Sequence, residues 1–216
     1  MNTFSIGESI RFGWETFKKR PAFFIGATVL VVLVSIIIGL MVDQVEKSSG
    51  PGLVSFLATL FEQLVVGVLV AMGVTVLSLK AYTDVQSASI RDLWSPKHYL
   101  ACLVVYIITV VAVMVGLILL VIPGVIVALM LSFPFYLILD KGMKPMDAIK
   151  ESARITKGHR WQLLLLYITL FALNLVGVLA VVVGLLVTLP ISGLAFVYAY
   201  RKLEHAASEV TPSPVA

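Results

Sequence analysis

Charge is scarce in this chain. Only 13% of its 216 residues are Asp, Glu, Lys or Arg, about half the share of an ordinary soluble domain. A charged, water-facing surface around a core is therefore excluded. Cysteine is nearly absent: Cys102 stands alone, which rules out an intramolecular disulfide and a cysteine-based metal centre. No Gly-rich nucleotide loop, G-x-S-x-G or H-E-x-x-H is present. The three histidines, His98, His159 and His205, are scattered and lack a matching carboxylate cluster. No cofactor and no metal are expected, and nothing supports an enzyme.

What is present is apolar. Some 60% of the residues are AVILMFWYC and the mean hydropathy is +1.04. Long runs of about 20 residues match the ~30 Å hydrocarbon layer at ~1.5 Å per helical residue. Ten-residue alternating segments are missing, which argues against a β-barrel. The expected fold is all-α and membrane-embedded, with spans at about 22–42, 56–79, 99–121, 124–139, 161–183 and 185–200 in one domain over 1–203. The tail 204–216 is expected to be disordered. The N-terminus reads as retained, because Glu8 and Glu15 precede an apolar run longer than a signal h-region.

The stretch 99–139 holds 41 residues and would reach ~60 Å as one helix, so it has to fold back. Ile122-Pro123-Gly124 is the expected apex. A second apex is expected near Gly184. Charge tests this folding. With both termini inside, fifteen of the sixteen Lys and Arg face the cytoplasm and only Lys47 lies outside, as the positive-inside rule demands. The formal net charge of +4 is thus concentrated at an inner membrane face, and no nucleic-acid partner is expected. Localisation follows as multi-pass cell inner membrane.

Three units emerge, each a cytoplasmic amphipathic helix followed by a transmembrane hairpin. "YIITVVAVMVG" from Tyr106 aligns with "YITLFALNLVG" from Tyr167, an internal repeat. In 4–19 the apolar side is expected at Ile6, Ile10, Gly13, Trp14 and Phe17. After Pro145 the stripe is Met146, Ile149 and Ala153. Ser89 with Asp92 makes a capping box. Small-xxx-small pairs such as Ala112/Gly116 and Ala195/Ala199 favour close helix approach.

Two sets of residues carry functional expectations. Lys157, Gly158, His159, Arg160 and Trp161, with Lys97 and His98 before another span, combine cations with helix amides and suit anionic phospholipid headgroups or a partner membrane protein. The alternative is a transport or lipid-translocating site at Asn174, Pro134, Pro190 and Glu62, because interrupted helices free carbonyls for a ligand. Against it, Asn174 serves equally as an interhelical hydrogen bond, the prolines as kinks, and Glu62 as an outer-interface residue. A homo-oligomer is a further expected partner.

Several strings carry a family resemblance: Ile122-Pro123-Gly124; Tyr136-Leu137-Ile138 with Asp140 and Gly142; Ala148-Ile149-Lys150 with Ser152; Thr156-Lys157-Gly158 with Trp161; and "AYRKL" at 199–203. They resemble a bacterial polytopic membrane-domain family similar to the membrane domain of glycerophosphodiester phosphodiesterases, whose members also occur alone as inner-membrane proteins. The resemblance covers about 100–203. It implies no catalysis here, since in fused members that belongs to a soluble domain.

Overall fold

The computed structural model describes residues 4–94, 96–180 and 183–210, and among these there are helices and no strands. Helix α1 (Ile6–Lys19) ends at Arg20, and Pro21 opens α2 (Pro21–Ser49). At that first position proline forfeits no helical bond. Helix α3 (Leu53–Phe61) continues through a π-helical stretch, Glu62–Gly67, into α4 (Val68–Thr83). A 3-10 turn over Ile90–Leu93 precedes α5 (Tyr99–Leu119), α6 (Val121–Met130) and α7 (Pro134–Lys141). Then come α8 (Pro145–Thr156), α9 (Arg160–Leu179) and α10 (Leu185–Val210).

Among the described residues, five stretches are long and apolar enough to cross a membrane: Pro21–Ser49, Leu53–Thr83, Tyr99–Leu119, Val121–Lys141 and Arg160–Leu179. Their exposed surface is itself apolar. Helix α2 buries only Phe24 and Ala27, while Leu33, Ile37 and Leu40 stand exposed. In water this would be untenable; against acyl chains it is the expected face.

The core forms two clusters. One gathers Phe133, Leu137, Ile138, Leu163, Leu166 and Tyr200 with Cys102 and Val105. The other joins α1, α2, α4 and α10 through Phe17, Phe24, Leu77, Ile191 and Leu194. Since hydrocarbon removes the usual hydrophobic drive between helices, close backbone approach has to hold them. Gly13 of α1 shows it: a Cβ there would lie 2.6 Å from the Ile191 carbonyl oxygen. The face of α1 buried in the protein is Ser9, Gly13, Thr16 and Phe17, while Trp14, on the expected apolar side, is exposed. The face of α8 is shifted likewise, to Ala148, Ser152 and Ile155 rather than Met146, Ile149 and Ala153, with Met146 exposed. In each helix small residues share the contact with one large apolar side chain, Phe17 in α1 and Ile155 in α8.

Several boundaries differ from expectation. The turn after α5 falls at extended Leu120, and Pro123 sits inside the first turn of α6. There the missing N–H is tolerated, so the turn moves three residues upstream. The hairpin closes tightly, since a Cβ on Gly116 would come 2.8 Å from the Gly124 Cα. The expected second apex adjoins Val181 and Val182, which lie outside the described residues; Gly184 itself packs on Gly177. Helix α10 runs to Val210, so 204–210 are helical where a disordered tail is expected, while 211–216 lie outside the described residues. Contacts explain the extension: Glu204 accepts from Lys141 at 2.6 Å and Arg154 donates to the Ala207 carbonyl at 3.2 Å.

The capping box at Ser89 is present, with Ser89 N–H donating to Asp92 Oδ2 at 2.8 Å. Its turn does not lie flat beyond the helix ends. Leu93 covers Gly73, whose Cβ would lie 2.3 Å from the Leu93 oxygen, and Lys80 pairs with Asp92 at 2.7 Å. Gly73 is about 15 Å up α4 from Thr83 at 1.5 Å per residue, so the segment 84–94 doubles back along α4. Tyr99 then donates to the Leu64 carbonyl at 3.0 Å, within the π-helical stretch. The start of α5 thus stands well away from Thr83, not level with it as its place before a span implied.

Candidate functional site

Thr156 ends α8 with its hydroxyl on the Ser152 carbonyl at 2.8 Å, and the chain then turns through Lys157, Gly158 and His159 into α9. Gly158 takes φ +85°, a conformation costly to other residues. Lys157 and Trp161 project outward, Trp161 at 72% exposure. His159 Nδ1 lies 3.1 Å from Gln162 Oε1. Arg160 heads α9 with its Nε buried and without a hydrogen-bond partner. Exposed cations, an interfacial indole and the first-turn amides of α9 therefore share one corner.

Lys97 and His98 occupy another place. With Trp94 they edge an open groove of about 720 Å3 whose floor includes Val65 and Leu69. The groove is lined by α4, α5 and the segment before α5, and no residue of the α8–α9 corner borders it. The two halves of the expected headgroup set are thus separate.

The transport set is dispersed too. Pro134 does not kink a helix but opens α7 after a three-residue joint, and Pro190 lies inside continuous α10. They are not corresponding breaks. At the joint, the buried Ser152 hydroxyl accepts from Phe133 N–H at 3.1 Å and donates to the Met130 carbonyl at 2.7 Å. One N–H and one carbonyl freed by the interruption, those of Phe133 and Met130, are therefore taken by α8. Asn174 donates to Leu170 O at 2.9 Å and to Ser192 Oγ at 3.0 Å, linking α9 to α10. Its Oδ1 and the nearby-in-sequence Thr188 Oγ1 of α10 are buried without partners. Glu62 is half-buried beside Gly39, whose Cβ would lie 3.7 Å from Glu62 Oε1. Gly39 is about 28 Å along α2 from Arg20, near the far side of a bilayer core.

Sequence reasoning missed the densest polar cluster. Asp140 takes a two-pronged pair from Arg201 at 2.7 and 2.8 Å and a third bond from the Tyr200 hydroxyl at 3.1 Å. Arg201 also reaches Glu204 at 3.3 Å and lies over the Tyr82 ring. Burial opposes its charge, but the carboxylates of Asp140 and Glu204 prevail and its pKa is raised. On α8, hydrogen bonds from Arg154 hold Glu151 below the ordinary carboxylate range despite partial burial. The only hint of the Asp140 cluster in the sequence is that Asp140 and the "AYRKL" string are among the residues that carry the resemblance. Among the described residues, no group of three His, Cys, Asp or Glu could hold a metal ion.

Long apolar helices with lipid-like exposed faces, joined through small residues and one ionic cluster, define an all-helical, multi-pass membrane protein. The chain belongs to the family described as "Protein of unknown function (DUF975)", which matches residues 1–207. It is 23% identical to uncharacterized proteins of Mycobacterium tuberculosis and Mycobacterium bovis, each alignment covering 98% of this chain and 73% of the relative. No solved structure matches. None of these matches links the chain to glycerophosphodiester phosphodiesterase membrane domains, so that part of the expectation is replaced by the family found.

Proposed function

We propose that this is a non-enzymatic inner-membrane protein that binds anionic phospholipid headgroups through its cytoplasmic basic residues, with Lys157, His159, Arg160 and Trp161 as the principal site. Lys97 and His98, which stand beside Val65 and Leu69 far up α4 from Thr83, are left out of this cytoplasmic site. One observation carries the reading: the buried, unpartnered Arg160 Nε at the head of α9, beside exposed Lys157 and Trp161. A phosphate held there would satisfy that donor together with first-turn amides. The reading includes six spans in three hairpins, the sixth being the apolar part of α10 over 185–200, with both termini inside. The skew of the Lys and Arg residues to one side, Arg91 and Lys97 left aside, supports that orientation. The parallel repeat belongs to it as well; glycines ten residues after Tyr106 and Tyr167 both pack at close helix contacts, Gly116 on Gly124 and Gly177 on Gly184.

The test is lipid retention after purification in mild detergent. Lys157→Glu with Arg160→Glu should lower retained phosphatidylglycerol relative to phosphatidylcholine. Equal retention sinks the site, and co-purification of a stoichiometric membrane protein lost with the same change would identify a protein partner instead. A transport or lipid-translocating reading survives only at Asn174 and Thr188, where two polar atoms lie buried without partners between α9 and α10. Asn174→Leu with unaltered insertion and unaltered flux would remove it.

A further inference from the structure

An apolar cavity of about 280 Å3 lies between α2, α4 and α10 and shares no lining residue with the Lys97–His98 groove or the α8–α9 corner. Phe24, Thr28 and Val32 form its α2 wall, Ser78 and Pro190 stand on α4 and α10, and Leu93 of the 3-10 turn borders it. Its hydroxyl hydrogens are already committed, Thr28 to the Phe24 carbonyl at 2.9 Å and Ser78 to the Val74 carbonyl at 2.8 Å. The wall therefore has no donor to offer a polar ligand and suits hydrocarbon. Val32 is exposed on a helix that buries only Phe24 and Ala27, so the cavity is reached sideways from lipid.

Immediately before Phe24's turn comes the run Lys18-Lys19-Arg20. Phe24 N–H bonds back to the Arg20 carbonyl at 3.2 Å, which stacks the two residues on consecutive turns about 6 Å apart. Arg20 is oriented by its Nη1, which donates to the carbonyls of Val85, Gln86 and Ala88, and by contact with the Phe23 ring at 4.3 Å. Its Nε and Nη2 bond to none of the described residues, and Lys18 and Lys19 are exposed. A cationic head end at the α1–α2 junction and an apolar tail end one turn into α2 complement a molecule that is anionic at one end and hydrocarbon at the other.

We infer that α2, α4 and α10 hold one acyl chain of an anionic phospholipid in this cavity, with its phosphate against Lys18, Lys19 and Arg20. The inference rests on the anionic-lipid reading and adds a site different from the one at Lys157 and Arg160.

The experiment uses the full chain in nanodiscs with phosphatidylglycerol carrying a diazirine in its acyl chain, and maps the adducts by mass spectrometry. Adducts are expected on residues 24–32 and 189–194, competed by phosphatidylglycerol and not by phosphatidylcholine or tail-free glycerol phosphate. Val32→Phe and Leu189→Phe fill the space from opposite walls, and each should cut that labelling about tenfold, a loss of about 1.4 kcal/mol in affinity. Lys18→Glu with Lys19→Glu should abolish the headgroup preference. Size-exclusion profiles identify a misfolded variant, and the other wall's variant then decides. Labelling scattered along exposed α5, or unchanged in a folded filled variant, overturns the inference. If phosphatidylglycerol retention still depends on Lys157 and Arg160 in that case, the broader reading stands; if no preference for phosphatidylglycerol exists anywhere, both fall.

Discussion

At the residue scale, two side chains bind elements that local sequence would leave apart. Ser152 closes the joint between α6 and α7 from outside, serving one donor and one acceptor with a single hydroxyl. Ser152→Ala leaves both groups buried and unpaired, so thermal unfolding in detergent should show a loss of about 2 kcal/mol. Ser152→Cys, with a weaker donor and acceptor, should lose less. Asp140 and Arg201 form the other tie, with side chains only 16% and 24% exposed. Removing one partner strands the other's charge, and Arg201→Met alone should destabilise by about 2–3 kcal/mol. Arg201→Met with Asp140→Leu should recover part of that, and a double-mutant cycle measures the coupling. Strict additivity in that cycle would mean that the pair does not act as a unit.

At the element scale, α4 and the segment 84–98 act together. Gly73 has no room for a side chain because the Leu93 backbone lies over it. Gly73→Val should lift the 3-10 turn, breaking the Lys80–Asp92 pair and speeding tryptic cleavage after Arg91; an unchanged cleavage rate would show that the turn does not rest there. The same packing carries Lys97 to Val65 and Leu69, far up the helix from Thr83. A membrane-impermeant thiol reagent should therefore label Lys97→Cys more slowly than Lys157→Cys in a Cys102→Ala background. The hydrophobic profile shows that an amphipathic segment exists at 89–94 and even its cap. It contains nothing about the doubling back, because that depends on one glycine ten residues from a helix end meeting one carbonyl in a distant turn.

At the scale of the whole molecule, two clusters of buried residues share α10, which touches α1, α2, α4, α8 and α9. Helix α10 is thus the post around which the rest is arranged, and its extension to Val210 is part of that role. Truncation after Leu203 removes Glu204 and the Ala207 carbonyl, the partners of Lys141 and Arg154, and should lower the unfolding temperature by several degrees. Reporter fusions after residue 216 and at Lys47 should read inside and outside respectively; the reverse would overturn the proposed orientation.

Composition and run length alone determined the solvent, the helical class and most span positions. Backbone groups in hydrocarbon must bond within helices, and helix length must match the layer whatever the neighbours are. Only the tertiary structure decided which faces are buried, where Leu120 turns, that Ser152 closes the joint, and that Asp140 meets Arg201 across sixty-one residues. In an apolar chain nearly every residue looks fit for a core. The choice then falls to small residues, hydroxyls and rare charges, whose partners lie far off in sequence.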